Sequence, residues 1–158
     1  SGGQRQRIGV ARAVACKPKL IVADEPVSAL DLSVQAQVLN YLKNIQKELN
    51  LSYIFISHDL GVIKHMCDYI YIMHRGRFTE TGNRQDIYED PQHIYTKRLI
   101  ASIPQINPKL RDERRKNREL ADKEDETDYN DDYDESGRVY PLRQLSDTHF
   151  VAQKKGGK

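Results

Sequence analysis

The chain has 158 residues, with 25 Lys and Arg against 23 Asp and Glu, a net charge of +2 and 38% apolar residues. That balance lacks the basic excess of a nucleic-acid binder, and the apolar share is below the globular norm, so part of the chain is expected to stay outside any core. The two cysteines, Cys16 and Cys67, exclude a four-cysteine cluster and have no zinc-ligand spacing, which favours a reduced, soluble, cytoplasmic protein. No apolar run reaches the roughly 20 residues a membrane helix needs.

The chain opens on Ser1-Gly2-Gly3-Gln4, without a methionine. Apolar positions from Ile8 to Ala15 predict a tightly packed helix over 4–16, which Pro18 stops. Glycines at a helix start let backbone approach an anion, and the unpaired amides there favour negative charge. Taken alone, Ser-Gly-Gly reads first as a flexible turn before a helix.

Leu20 to Ala23 reads as a buried parallel strand that delivers Asp24 and Glu25 at its carboxyl end. In phosphoryl transfer one acid holds Mg²⁺, usually through water, and its neighbour orients or deprotonates the attacking water. Val34, Val38, Leu42, Ile45 and Leu49 recur at helical spacing behind a cap at Asp31 or Ser33, and on its own Asp31 reads first as that cap. Tyr53 to Ile56 is a second buried strand, ending at Ser57-His58-Asp59, and Leu60 to Met66 a further helix. The alternation implies a parallel sheet with ligands beyond the strands' carboxyl ends, where Asp24, Glu25 and His58 fall. His58 can donate to a phosphate oxygen or accept from water.

Residues 69–74 and 77–81 read as a hairpin turned at Arg75-Gly76 and ended by Gly82. Residues 83–89 and 93–102 read as short helices separated by Pro91, and Pro104 and Pro108 close the ordered region. The charged stretch 111–137, with Tyr129 and Tyr133, reads as a solvated acidic linker carrying no site. Residues 138–145 and 149–152 regain apolar character and 154–158 read as a frayed basic tail.

In order and spacing, Ser1 to Gln4, Leu20 to Glu25, Ser28 to Asp31 and His58 resemble the signature motif, Walker B strand, catalytic glutamate, D-loop and switch histidine of an ABC-type ATPase. Residues 33–39, the run Pro91-Gln92-His93-Ile94-Tyr95-Thr96 and the closing 141–143 and 149–151 are similar to ATP-binding subunits of oligopeptide and dipeptide importers. Ile94 stands where that family usually has proline. The resemblance implies an α/β fold: the C-terminal part of a P-loop NTPase domain over 1–90, with a β-hairpin. A short helical extension over 91–110, the linker 111–137 and a C-terminal element with its tail over 138–158 would complete the chain.

The same resemblance implies ATP and Mg²⁺. Ser1, Gly2, Gly3 and Gln4 would contact the γ-phosphate on a second ATPase subunit, a non-identical sister, and Asp31 would reach across the same interface. Asp24 would hold the metal, with Glu25 and His58 catalytic toward this subunit's own ATP. Two membrane permease subunits, a peptide-binding protein acting indirectly, and the cytoplasmic face of the membrane complete the implied setting, with no nucleic acid. The phosphate-cradling G-x-x-x-x-G-K-[ST] loop is not in the sequence, so the chain alone is expected to be inactive. Two further readings are a non-transport ABC-type ATPase and a truncated, non-catalytic interaction module.

Overall fold

Strand β1 (Leu20–Asp24) lies parallel to β2 (Ser52–Ile56), with Leu20 opposite Ser52 and Asp24 opposite Ile56. That register brings both carboxyl ends to one level. The computed structural model describes residues 2–103, 133–138 and 140–153, which divide into two compact units at Met66 and Cys67. Ser1, the stretch 104–132 holding most of the expected linker and both closing prolines, Val139, and the tail 154–158 lie outside the described residues.

In the first unit, α1 (Gly2–Ala15) precedes β1, α2 (Leu32–Leu49) crosses from β1 to β2, and α3 (Leu60–Met66) comes after β2. The core is Val27, Val38, Leu39, Leu42 and Val62, with Val10, Leu30, Val34, Tyr53, Phe55 and Met66 packed on it. Asn50, in the left-handed region at φ 51°, ends α2 by donating its N–H to the Gln46 carbonyl. Asp59 starts α3: its Oδ1 accepts from the Gly61 and Val62 amides at 2.8 and 3.2 Å.

Two expectations for this unit need correction. The strands are not buried on both sides: side chains alternate along them, and Val22 and Ile54, paired across the ladder, are 60% and 50% exposed. Among the described residues, only the face bearing Tyr53 and Phe55 is covered, by the α2 core. Helix α1 begins two residues earlier than expected and does not pack all round. It buries Gly3 and half-buries Gln6, Val10 and Val14, one helical stripe, while Ile8 is exposed.

In the second unit, β3 (Tyr69–His74) and β4 (Arg77–Asn83) form the expected hairpin. Arg75 and Gly76 both take positive φ, 47° and 77°, the turn whose twist matches the strands. Gly82 does not end it. Paired with Ile70, it continues β4, because an added Cβ there would lie 2.9 Å from Asp86 Cβ: its smallness serves close packing rather than a turn.

Asn83 then caps α4 (Arg84–Glu89) in a reciprocal capping box with Asp86, and His93 caps α5 (Ile94–Ser102). The late apolar stretches form β5 (Leu142–Gln144) and β6 (Phe150–Ala152), giving the antiparallel order β3-β4-β6-β5. Tyr133, read in sequence as part of a solvated spacer, is instead buried with Ala152, and its ring hydroxyl bonds His74 Nδ1.

Candidate functional site

At the end of β1 the Glu25 N–H donates to the Ile56 carbonyl at 2.9 Å, extending the ladder by one rung. The backbone then turns through φ 47° at Glu25, a left-handed conformation that costs a non-glycine residue roughly 1–2 kcal/mol. The next three residues hold the bend. Pro26 and Val27 are buried, and Ser28 donates from Oγ to the Glu25 carbonyl at 3.1 Å.

The bend brings the Glu25 carboxylate over the chain leaving β2. Its Oε1 accepts the His58 backbone N–H at 3.1 Å and meets His58 Nδ1 at 2.7 Å. The hydrogen bond that His58 donates to Glu25, and then the charge of Glu25, raise the His58 pKa above the ordinary 6.5. In the protonated ring, with Nδ1–H donating to Glu25, the Nε2–H is left for a further acceptor. The Asp59 amide donates to Ser57 Oγ at 3.0 Å, and with the α3 cap this fixes the loop that carries the imidazole. Ser57 and Asp59 were missed as site residues, though an acid just ahead of an apolar helical run was the signal that could have found the cap.

Asp24 stands exposed at the last rung of β1, next to Glu25. Thus Asp24, Glu25 and His58 share one rim. No three His, Cys, Asp or Glu side chains gather as a metal site among the described residues. A single exposed carboxylate at such a rim nevertheless suits Mg²⁺, which takes one or two carboxylates and completes its shell with water or ligand oxygens.

Asp31 is the cap of α2: its Oδ1 accepts from the Val34 amide at 2.9 Å and from Ser33 Oγ at 2.7 Å, and the amide bond leads in holding its pKa down. Gly2, Gly3 and Gln4 form the first turn of α1, with Gln4 exposed. A Cβ on Gly3 would lie 2.7 Å from Val34 Cγ1, so this glycine sets how closely α1 meets α2. Ser1 lies outside the described residues.

Two family models match: "ABC transporter" over residues 1–28 and "Oligopeptide/dipeptide transporter, C-terminal region" over 79–129. The oligopeptide transport ATP-binding protein OppF of Lactococcus lactis subsp. lactis is 59% identical over 157 residues, 99% of this chain and 49% of the relative. The chain belongs to the ABC transporter ATP-binding subunits of the oligopeptide/dipeptide family.

OppF of Streptococcus mutans is 44% identical over 96% of this chain and 46% of its own length. The dipeptide transport ATP-binding protein DppF of Haemophilus influenzae is 54% identical over 72% and 35%. This member of the family spans about half the length of the curated relatives it matches. Among solved structures, cbiO1 from Clostridium perfringens, part of the ABC transporter complex cbiONQ, aligns with a TM-score of 0.52 at 29% identity, covering 61% of this chain and 39% of that one. MJ1267, an ATP-binding cassette of an ABC transporter in its ADP conformation, aligns at 0.53 with 24% identity over the same shares, a likeness of fold alone. The α/β architecture is that of the C-terminal part of an ABC-type ATPase domain. No helix among the described residues is long and apolar enough to cross a membrane.

Proposed function

We propose that the chain supplies the catalytic rim of an ATP-hydrolysing subunit that powers import of oligopeptides or dipeptides. The observation that carries this reading is the 2.7 Å contact between Glu25 and His58 at the carboxyl ends of adjacent parallel strands, beside Asp24. Glu25 orients water and takes its proton, and His58, held through Nδ1, presents Nε2 to the terminal phosphate. Asp24 would hold Mg²⁺, which would offset phosphate charge. Ser1 to Gln4 and Asp31 serve an ATP on a sister ATPase subunit, residues 1–90 forming the nucleotide-handling part and 91–110 the extension. Two permease subunits at the cytoplasmic face of the membrane are the partners that the work drives. The peptide transport for which OppF and DppF are named supports the peptide substrate.

The purified 158-residue chain is expected to show no Mg-dependent ATP turnover; turnover that Glu25→Gln abolishes would refute that inactivity. In the membrane complex Glu25→Gln should lower turnover at least about a hundredfold while nucleotide binding persists. Unchanged turnover there removes Glu25 from the mechanism.

A further inference from the structure

The second unit buries a carboxylate that the nucleotide chemistry does not use. Glu80 on β4 is fully buried, and three donors converge on it: the Gln92 amide at 2.7 Å and His149 Nε2 at 2.7 Å on Oε1, and the His93 amide at 3.0 Å on Oε2. A carboxylate so placed persists only when its acceptor sites are filled, because an unmet buried charge is costly. Two of the donors are backbone amides at the entrance to α5, where negative charge is also favoured by the helix. The third comes from the far end of the chain.

His149 is 5% exposed and reaches Glu80 on a strap laid over the hairpin. Val151 pairs with Glu80 and Phe150 with Thr81, while Val151 and Ala152 are fully buried. Just before His149, the Thr148 carbonyl accepts from the Tyr69 hydroxyl at 2.9 Å, and Thr148 Oγ1 donates to Asp86 at 2.9 Å. Gly82 makes room for this: a Cβ there would meet both Asp86 and, at 3.4 Å, the His149 ring.

We infer that His149 is a positioning residue: the C-terminal strap closes on Glu80 and through that one carboxylate holds the start of α5, so that losing the His149–Glu80 contact loosens α5. The strap has two kinds of anchor. Thr148 ties it to α4 and β3, whereas His149 alone among these contacts ties it to the carboxylate that grips α5. A strap serving only as an extra strand would couple to β4 and leave α5 indifferent.

Backbone amide exchange on the whole chain separates these cases. His149→Phe should speed exchange in the peptides covering 91–102 about tenfold, as well as in 148–152, because Glu80 then lacks a donor. Thr148→Val should speed 148–152 and leave 91–102 at the parent rate. His149→Gln, which restores an N–H donor, should return most of the protection of 91–102. Faster exchange confined to 142–152 in His149→Phe overturns the inference. Should that variant lose protection throughout 69–83 as well, Glu80→Gln decides instead. Its amide group faces at least one of the three donors, so 91–102 and 148–152 should loosen together, and loosening of one alone overturns the coupling.

Discussion

Glu25 and His58, 33 residues apart in sequence, share a carboxylate oxygen that receives both the backbone amide and the ring nitrogen of the histidine. The pair depends on a left-handed bend at Glu25 that places its carboxylate beside the next strand's exit rather than beyond its own. Because the bond to Glu25 raises the His58 pKa, its charged form adds stability in full below the unfolded value of 6.5, and this is lost as pH rises through the higher folded pKa. Glu25→Gln should therefore move the His58 titration downward, read from its ring proton shifts. The difference in unfolding midpoint between parent and variant should shrink as pH is raised through the parent's His58 pKa.

Two glycines of α1 are expected to respond oppositely to one substitution. A methyl on Gly3 would collide with Val34 at 2.7 Å, whereas Gly9 has open space around its Cα. Gly3→Ala should destabilise the first unit by about 1–3 kcal/mol, since the helices must separate. Gly9→Ala should stabilise it by about 0.5–1 kcal/mol through helix propensity alone. Denaturant midpoints of the two variants check the sign directly.

Much of this was legible because local chemistry and tertiary structure agree. Pro18, the Asp31 cap, the Arg75-Gly76 turn and the apolar rhythm of α2 each specify their element without help from distant residues. What was not legible depends on partners far along the chain. Gly82 reads as a strand breaker until His149 and Asp86 are known to lie against it. Nothing in the hairpin sequence singles out Glu80, and only burial beneath the strap and the turn into α5 makes it the centre of a network. Tyr133 sits among carboxylates in sequence, yet its ring goes into the core beside Ala152. The bend at Glu25 was equally hidden, because a positive φ at glutamate has no compositional signature.

Asp31 offers a test that separates its structural duty from nucleotide contact. The Val34 amide and Ser33 hydroxyl depress its pKa, so its stabilising effect is present above the unfolded value of 3.8 and lost as pH falls through the lower folded pKa. Asp31→Asn keeps an acceptor for Val34 and should retain the helix while flattening that acid dependence. Asp31→Ala should lower the unfolding midpoint at neutral pH. If Asp31 also reaches a sister subunit's nucleotide, Asp31→Asn should reduce turnover of the assembled transporter with no loss of its own fold, which circular dichroism would monitor.

The acid dependence of α5 is expected to centre on His93. It is 2% exposed, caps α5 through Nδ1, and burial, together with the lesser charges of His74 and Lys97, pushes its pKa down to about 4 from 6.5. A folded value below the unfolded one means that the stabilisation is complete above pH 6.5 and disappears as pH falls to about 4. Across that window the loss is roughly 3 kcal/mol, at 1.36 kcal/mol for each unit of pKa difference. The cap also fails on protonation, because Nδ1 can no longer accept the Tyr95 amide. Acidification should therefore release α5 before it disturbs α2, with faster amide exchange at 94–102 than at 38–49. His93→Asn, which keeps a capping oxygen and cannot titrate, should remove most of the pH dependence of α5. Equal acid sensitivity in parent and variant would move the origin of that dependence away from His93.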